Sequence, residues 1–213
     1  MASLDKRWEA TKEQPFSSKV REMVHPPGPL KPRLETAVRR IEVQTQKLDR
    51  TSNSFDERGK ALFNQVVDAY EAHDMKRANI FANELAEIRK MEQTTLSARL
   101  ALEQILLRLR TATEIGGIVV TLSPVIGVLQ NVRRSIIGIS PDVGRELNNI
   151  SDLMSGIVMD AGSVAGMSIN FNTINEDSQK ILGEAAAIAE QRMKTKLPDL
   201  LAIEEKGEEK LKP

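Results

Sequence analysis

From Leu34 the apolar positions of this chain recur at alternating steps of four and three: Leu34, Val38, Ile41, Thr45, Leu48, Ser52, Phe55, Gly59, Leu62, Val66 and Ala69. This is the heptad seam of a long helix, softened at Thr45, Ser52 and Gly59. After Ala72-His73-Asp74-Met75 a second series begins at Phe81, Leu85, Ile88 and Met91. It runs on through Leu96, Leu100, Leu102, Ile105, Leu106 and Leu109. No proline lies between Pro32 and Pro124, and Gly59 is the single glycine between Arg33 and Ile115. A Gly or Pro inside a helix costs roughly 1 or 3 kcal/mol, so this vacancy predicts two very long helices over about 30–114. A short turn at 72–75 folds them into an antiparallel hairpin. At about 1.5 Å per residue, a helix of about 40 residues spans about 60 Å. Such a shape suits a lever, a filament subunit or a scaffold better than a small-molecule pocket.

The flanking segments read differently. Residues 1–28 form a polar arm that ends in His25-Pro26-Pro27-Gly28-Pro29, an extended spacer incompatible with helix. Pro32 falls in the first turn of the first long helix, where proline is tolerated. Past Gly116-Gly117, a flexible joint, residues 118–137 predict an apolar helix interrupted or kinked near Pro124. Ser140-Pro141-Asp142 stops and restarts the chain. A fourth helix over about 142–159 carries Val143, Leu147, Ile150, Leu153, Met154 and Ile157 on one face. Residues 160–175, small and polar, read as a linker. A fifth helix over 176–195 presents Ile181, Leu182, Ala185, Ile188 and Ala189, and residues 196–213 form a charged tail. The fold class is all-α: a long helical hairpin plus shorter C-terminal helices, with a helical core over 29–159. An aromatic content of 3% argues against a sandwich or barrel.

Charge sharpens the picture. Glu35, Glu42, Asp49 and Asp56 repeat every seven residues beside the seam, whereas Arg33, Arg40 and Lys47 repeat every seven on the far side, joined by Arg39 and Arg50. The first helix therefore has an acidic flank and a basic back. The net charge is zero, but residues 1–141 hold 22 basic and 17 acidic residues, a surplus of +5, and residues 142–213 hold 8 and 13, a surplus of −5. One half is thus suited to an anionic surface, or the two halves to each other.

Candidate chemistry is scarce. There is no cysteine, and His25 and His73 are the two histidines, so catalytic dyads and zinc sites lack raw material. A di-iron bundle needs two Glu-x-x-His motifs; Glu22-Met-Val-His25 is the one present, and it runs into Pro26-Pro27. Neither a phosphate-binding Gly-x4-Gly-Lys-Ser/Thr loop nor a Gly-x-Gly-x-x-Gly is found. These observations point away from an enzyme and from any cofactor or metal. The basic stripe is interleaved with acids and lacks base-stacking aromatics, which points away from nucleic acid. The N-terminal residues do not form a secretory signal. The longest uncharged run, Ile115 to Val132, holds Thr121, Ser123, Pro124, Gln130 and Asn131; a spanning helix needs about 20 mostly apolar residues. Any membrane contact is therefore expected to be peripheral.

The layout of basic hairpin, two shorter helices, acidic helical part and proline-containing terminal segment resembles the ESCRT-III family. The local likeness is to its archaeal cell-division members. It is carried by Thr113-Glu114-Ile115-Gly116-Gly117-Ile118-Val119-Val120-Thr121-Leu122-Ser123-Pro124-Val125-Ile126-Gly127-Val128 and Ile139-Ser140-Pro141-Asp142-Val143-Gly144-Arg145-Glu146-Leu147, within a likeness over about residues 30–190. The resemblance implies a filament subunit without an active site. It would polymerise with itself and with paralogous subunits on an anionic membrane surface, through side-by-side hairpins. It would constrict or sever membrane necks in archaeal division, at the cytoplasmic face at midcell. An AAA ATPase with an MIT domain would disassemble the polymer, and acidic C-terminal elements would fold back on the basic hairpin. Carried onto this sequence, the resemblance makes Arg33, Arg39, Arg40 and Lys47 the membrane-binding candidates. It adds Trp8 and Phe16, with Leu4 and Val20, from an N-terminal segment interrupted by Pro15. Leu197, Pro198, Leu200 and Leu201 would bind the MIT domain, although the segment lacks a second proline after Leu200. The alternative from another class is a soluble helical coiled-coil scaffold or adaptor without membrane activity.

Overall fold

The computed structural model describes residues 30–115, 118–165 and 171–196. Five helices account for nearly all of them: α1 (Leu30–Glu71), α2 (Met75–Ile115), α3 (Ile118–Ile136), α4 (Pro141–Ala165) and α5 (Phe171–Lys196). The Gly116–Gly117 joint lies outside the described residues.

The hairpin turn is closed by short-range hydrogen bonds. The amide of Asp74 donates to Ala69 O at 2.9 Å and that of His73 to Tyr70 O at 3.0 Å, the paired bonds of a Schellman cap. His73 occupies the left-handed position at φ 56° that glycine usually fills. Asp74 then caps α2, its Oδ1 accepting from the Arg77 amide at 3.1 Å. One aspartate thus ends one helix and starts the next.

The helices form two layers. α1 and α2 pack along each other. Against them lie α4 on α1, and α3 and α5 on α2, with α3 between α4 and α5. The common core joins Leu34, Ile41 and Leu48 of α1 to Leu102, Ile105 and Leu109 of α2. It continues into Leu129 of α3, Leu147 and Ile150 of α4, and Ile181 and Ala185 of α5. A separate cluster, Leu62, Leu85 and Ile88 with Phe55, Phe63, Phe81 and Met91 against it, holds the distal arm. Between the two clusters the seam is polar: Ser52, Glu92 and Thr95 are buried there. Thr95 and the similarly placed Thr45 satisfy their hydroxyls on the carbonyls of Met91 and Ile41, one turn back in their own helices.

Three expectations change. Pro124 does not interrupt α3, which is continuous from Ile118 to Ile136; it lies in the second turn of the helix, and its carbonyl accepts from the Ser178 hydroxyl of α5 at 3.4 Å. The expected 160–175 linker is narrower, because α4 runs to Ala165 and α5 starts at Phe171; residues 166–170 lie outside the described residues. Small residues there suggested flexibility, but alanine is the best helix former and one Gly costs only about 1 kcal/mol. Ile188, named with the apolar positions of the fifth helix, is 38% exposed, whereas Ile181, Ala185 and Ala189 are buried. α5 meets α3 closely: a Cβ on Gly127 would lie 2.6 Å from Ser178 Oγ, so glycine at 127 is what lets Ser178 seat.

Replacing His73 by glycine removes the left-handed strain and is expected to stabilise the protein by about 0.5–1 kcal/mol. Leu102→Ala, in the common core, is expected to destabilise it by about 2–5 kcal/mol. Urea unfolding followed by circular dichroism measures both.

Candidate functional site

The charge columns of α1 decide what that helix touches. Its apolar seam faces α2 and the core, and each column turns toward a different neighbour. On the acidic side, Glu42 Oε1 accepts from Arg110 Nη2 of α2 at 2.6 Å. Asp49 pairs with Arg99, which also reaches Glu103 at 3.6 Å. These antiparallel pairs lace the hairpin. They flank a shallow cleft of about 360 Å³ lined by Thr45, Gln46, Asp49, Arg50, Arg99 and Glu103. Its charges neutralise one another, so it offers no convergent set for acid–base chemistry.

On the basic side the partner is α4. Arg40 Nε donates to Glu146 Oε1 at 2.7 Å, with side chains 34% and 27% exposed. Arg33 pairs with Asp160 at the other end of α4. Gly156 leaves room for that second pair, since a Cβ there would lie 3.0 Å from Arg33 Nη2 and the guanidinium would have to shift. The hydrogen bond from Arg40 holds the Glu146 carboxyl below the usual glutamate range. Burial opposes this, while Asn149 and the charges of Arg40 and Lys47 add to it. The same bond raises Arg40. The basic back of α1 is therefore partly occupied: α4 lies along it, antiparallel, with two carboxylates on two guanidiniums.

The candidate residues separate accordingly. Arg33 and Arg40 are half-buried and paired, whereas Arg39 and Lys47 are exposed. Arg50 is exposed as well, and Val43, 48% exposed, lies one turn from Arg39 on the same face. Trp8, Phe16, Leu197, Pro198, Leu200 and Leu201 lie outside the described residues. Sequence reasoning did not find Glu146, Asp160 or Gly156. A signal for the two acids existed, since Glu146 and Asp160 stand two heptads apart and so share one face of α4. Among the described residues no group of three or more His, Cys, Asp or Glu could hold a metal ion. Among them, too, no helix is long and apolar enough to cross a membrane.

An antiparallel assembly of five helices, among the described residues, built on a charged hairpin defines an all-α class of protein, and sequence comparison gives the family. The chain is 41% identical over 174 residues to Cell division protein B1 of Sulfolobus acidocaldarius, covering 82% of this chain and 81% of that protein. It is 30% identical over 161 residues to Cell division protein B of the same organism, covering 76% of this chain and 62% of that longer relative. The chain belongs to the archaeal ESCRT-III-like cell-division proteins of the B type. No family model and no solved structure matches it.

The pair between α1 and α4 has a pH signature. A carboxyl whose pKa is lowered by folding stabilises the fold above its unfolded value, and that contribution is lost as pH falls through the folded value. Glu146→Gln is expected to cost about 0.5–1 kcal/mol at pH 7. The difference from the wild type should shrink as pH falls below about 4.3. Urea titrations of both proteins at pH 7, 5 and 3 measure this; a difference independent of pH contradicts the assignment.

Proposed function

We propose that this chain is a filament-forming subunit that assembles on anionic membrane, with itself and with paralogous subunits, and drives constriction in archaeal cell division. Its role is structural rather than enzymatic. It acts at the cytoplasmic face of the division site; a role in division accords with its relatives, both cell-division proteins. The observation that carries this reading is the cationic column of α1. Arg39 and Lys47 are exposed, and Arg33 and Arg40 are held by Asp160 and Glu146 of α4. A subunit that must meet an anionic surface only when assembled needs cations that are partly sheltered beforehand, and α4 carboxylates supply that shelter. Displacing α4 would add Arg33 and Arg40 to Arg39 and Lys47. Each basic side chain near an anionic surface contributes roughly 1 kcal/mol, so the change from two free cations to four is large and salt-sensitive. Trp8 and Phe16 would add apolar insertion. An AAA ATPase would take hold of Leu197, Pro198, Leu200 and Leu201 through its MIT domain and disassemble the polymer. An extended Leu-Pro segment fits a groove between helices at low ordering cost.

A second reading, a soluble helical scaffold without membrane activity, draws on the same pairs, since two of the four cations are already neutralised within the chain. Sedimentation with vesicles separates the two. The protein is expected to pellet with anionic vesicles, to stay in solution with neutral ones, and to be released by salt. Arg39→Ser with Lys47→Ser should weaken binding by about thirtyfold. Glu146→Gln with Asp160→Asn should strengthen it by freeing Arg33 and Arg40. Equal pelleting on both vesicle types, or weaker binding by the Glu146 and Asp160 variant, favours the scaffold. A Lys194–Ile203 peptide titrated into the MIT domain of the ATPase tests the last element; absence of binding removes that segment from the account.

A further inference from the structure

The hairpin changes character partway along its length. In the base, the seam of α1 and α2 is one side of a core that three further helices complete. In the arm, the buried apolar side chains are Leu62, Val66, Ala69, Ala78, Leu85 and Ile88; of these Leu62, Leu85 and Ile88 form a cluster, and the large side chains around it stay half-buried. The two clusters are separate. What lies between them is a layer of hydroxyls and a carboxylate: Ser52 is 3% exposed, and Glu92 and Thr95 are fully buried. Glu92 lies within electrostatic reach of Lys60 on α1, whose ammonium is raised chiefly by the Asp56 hydrogen bond and charge. Both helices run through the layer unbroken, so the backbone is continuous where the apolar packing is not. The arm also holds the sole glycine of the hairpin helices, Gly59, whose place in mid-helix weakens α1 beyond the layer.

We propose that the polar layer divides the hairpin into two cooperative units, so that the arm, residues 55–91, opens as a whole while the base remains folded. Helical backbone alone cannot prevent this, because most helical stability in proteins comes from packing of the apolar face. A segment with few buried apolar contacts opens at lower free energy than the core it adjoins, and the layer marks where that density falls. Opening of the arm leaves the α1–α4 pairs intact, since Arg33 and Arg40 lie in the base. The arm can therefore repack against another molecule without disturbing the charge column that α4 covers. This division rests on packing within the chain and is independent of membrane binding.

Native-state hydrogen exchange of the full-length protein, at low urea and read by peptide mass spectrometry, tests the division. Amides of 55–91 are expected to exchange together, through an opening that spares 34–48 and 98–109. Two variants separate this from unfolding of the whole hairpin. Ile105→Val, in the base core, should speed base exchange about fivefold and leave the arm unchanged. Gly59→Ala should slow arm exchange about fivefold. Its added Cβ would meet Ile88 and Leu85 at 3.8 and 3.9 Å, ordinary contact distances, so the substitution leaves the packing intact. Three results would overturn the proposal: arm and base exchanging through one common opening, arm exchange quickened by Ile105→Val as much as base exchange, or arm exchange indifferent to Gly59→Ala, which would reduce its opening to fraying at the tip.

Discussion

A long helix with one narrow apolar stripe can bury that stripe against a single groove, and α1 must nevertheless hold two helices. That constraint shapes the fold. The stripe of Leu34, Ile41 and Leu48 goes into the common core. The flanks of the helix are then assigned by charge, acidic residues to the arginines of α2 and basic residues to the carboxylates of α4. Exposed or half-exposed pairs contribute little stability each, on the order of 0.5 kcal/mol. The weight of α4 docking falls on Val143, Leu147, Ile150, Met154 and Ile157, all buried. The charges instead fix register and sign: α4 can lie along α1 in one direction, and the small electrostatic part of its hold weakens with salt.

The same division of labour runs along the hairpin. Near the joint, five helices share one core; beyond the polar stretch at Ser52, Glu92 and Thr95, two helices stand by themselves. Two helices cannot fully enclose Phe55, Phe63 and Phe81, which remain half-buried. The molecule is therefore a compact base from which an arm projects. The base carries the charge column and its cover, and the arm carries the less densely packed surface.

Much of this was legible in the sequence. The heptad seam, the vacancy of proline and glycine, and the turn at Ala72-His73-Asp74 specify the hairpin, because periodicity and helix breakers are local signals. The softened positions Thr45 and Ser52 are indeed buried polar residues of the seam. Local signals misled where composition stood in for conformation: Pro124 was tolerated inside α3, and small residues next to 160 continued α4. The α1–α4 pairs were not found because the partners lie more than a hundred positions apart in sequence. The seven-residue period of the basic column revealed that a stripe existed, but a stripe facing solvent and a stripe facing another helix have the same period. The placement of α4, set by the apolar core, decides between them and divides four equivalent-looking cations into two that are paired and two that are exposed.

The central claim is that α4 shelters the cationic column of α1 and yields it to an anionic surface. Hydrogen exchange of the full-length protein, free and bound to anionic vesicles, tests it most directly. The account predicts that amides of residues 146–160 lose protection on binding while the buried seam of α1 and α2 in the base keeps its own. Vesicle-bound protein whose α4 remains as protected as in the free chain would contradict it.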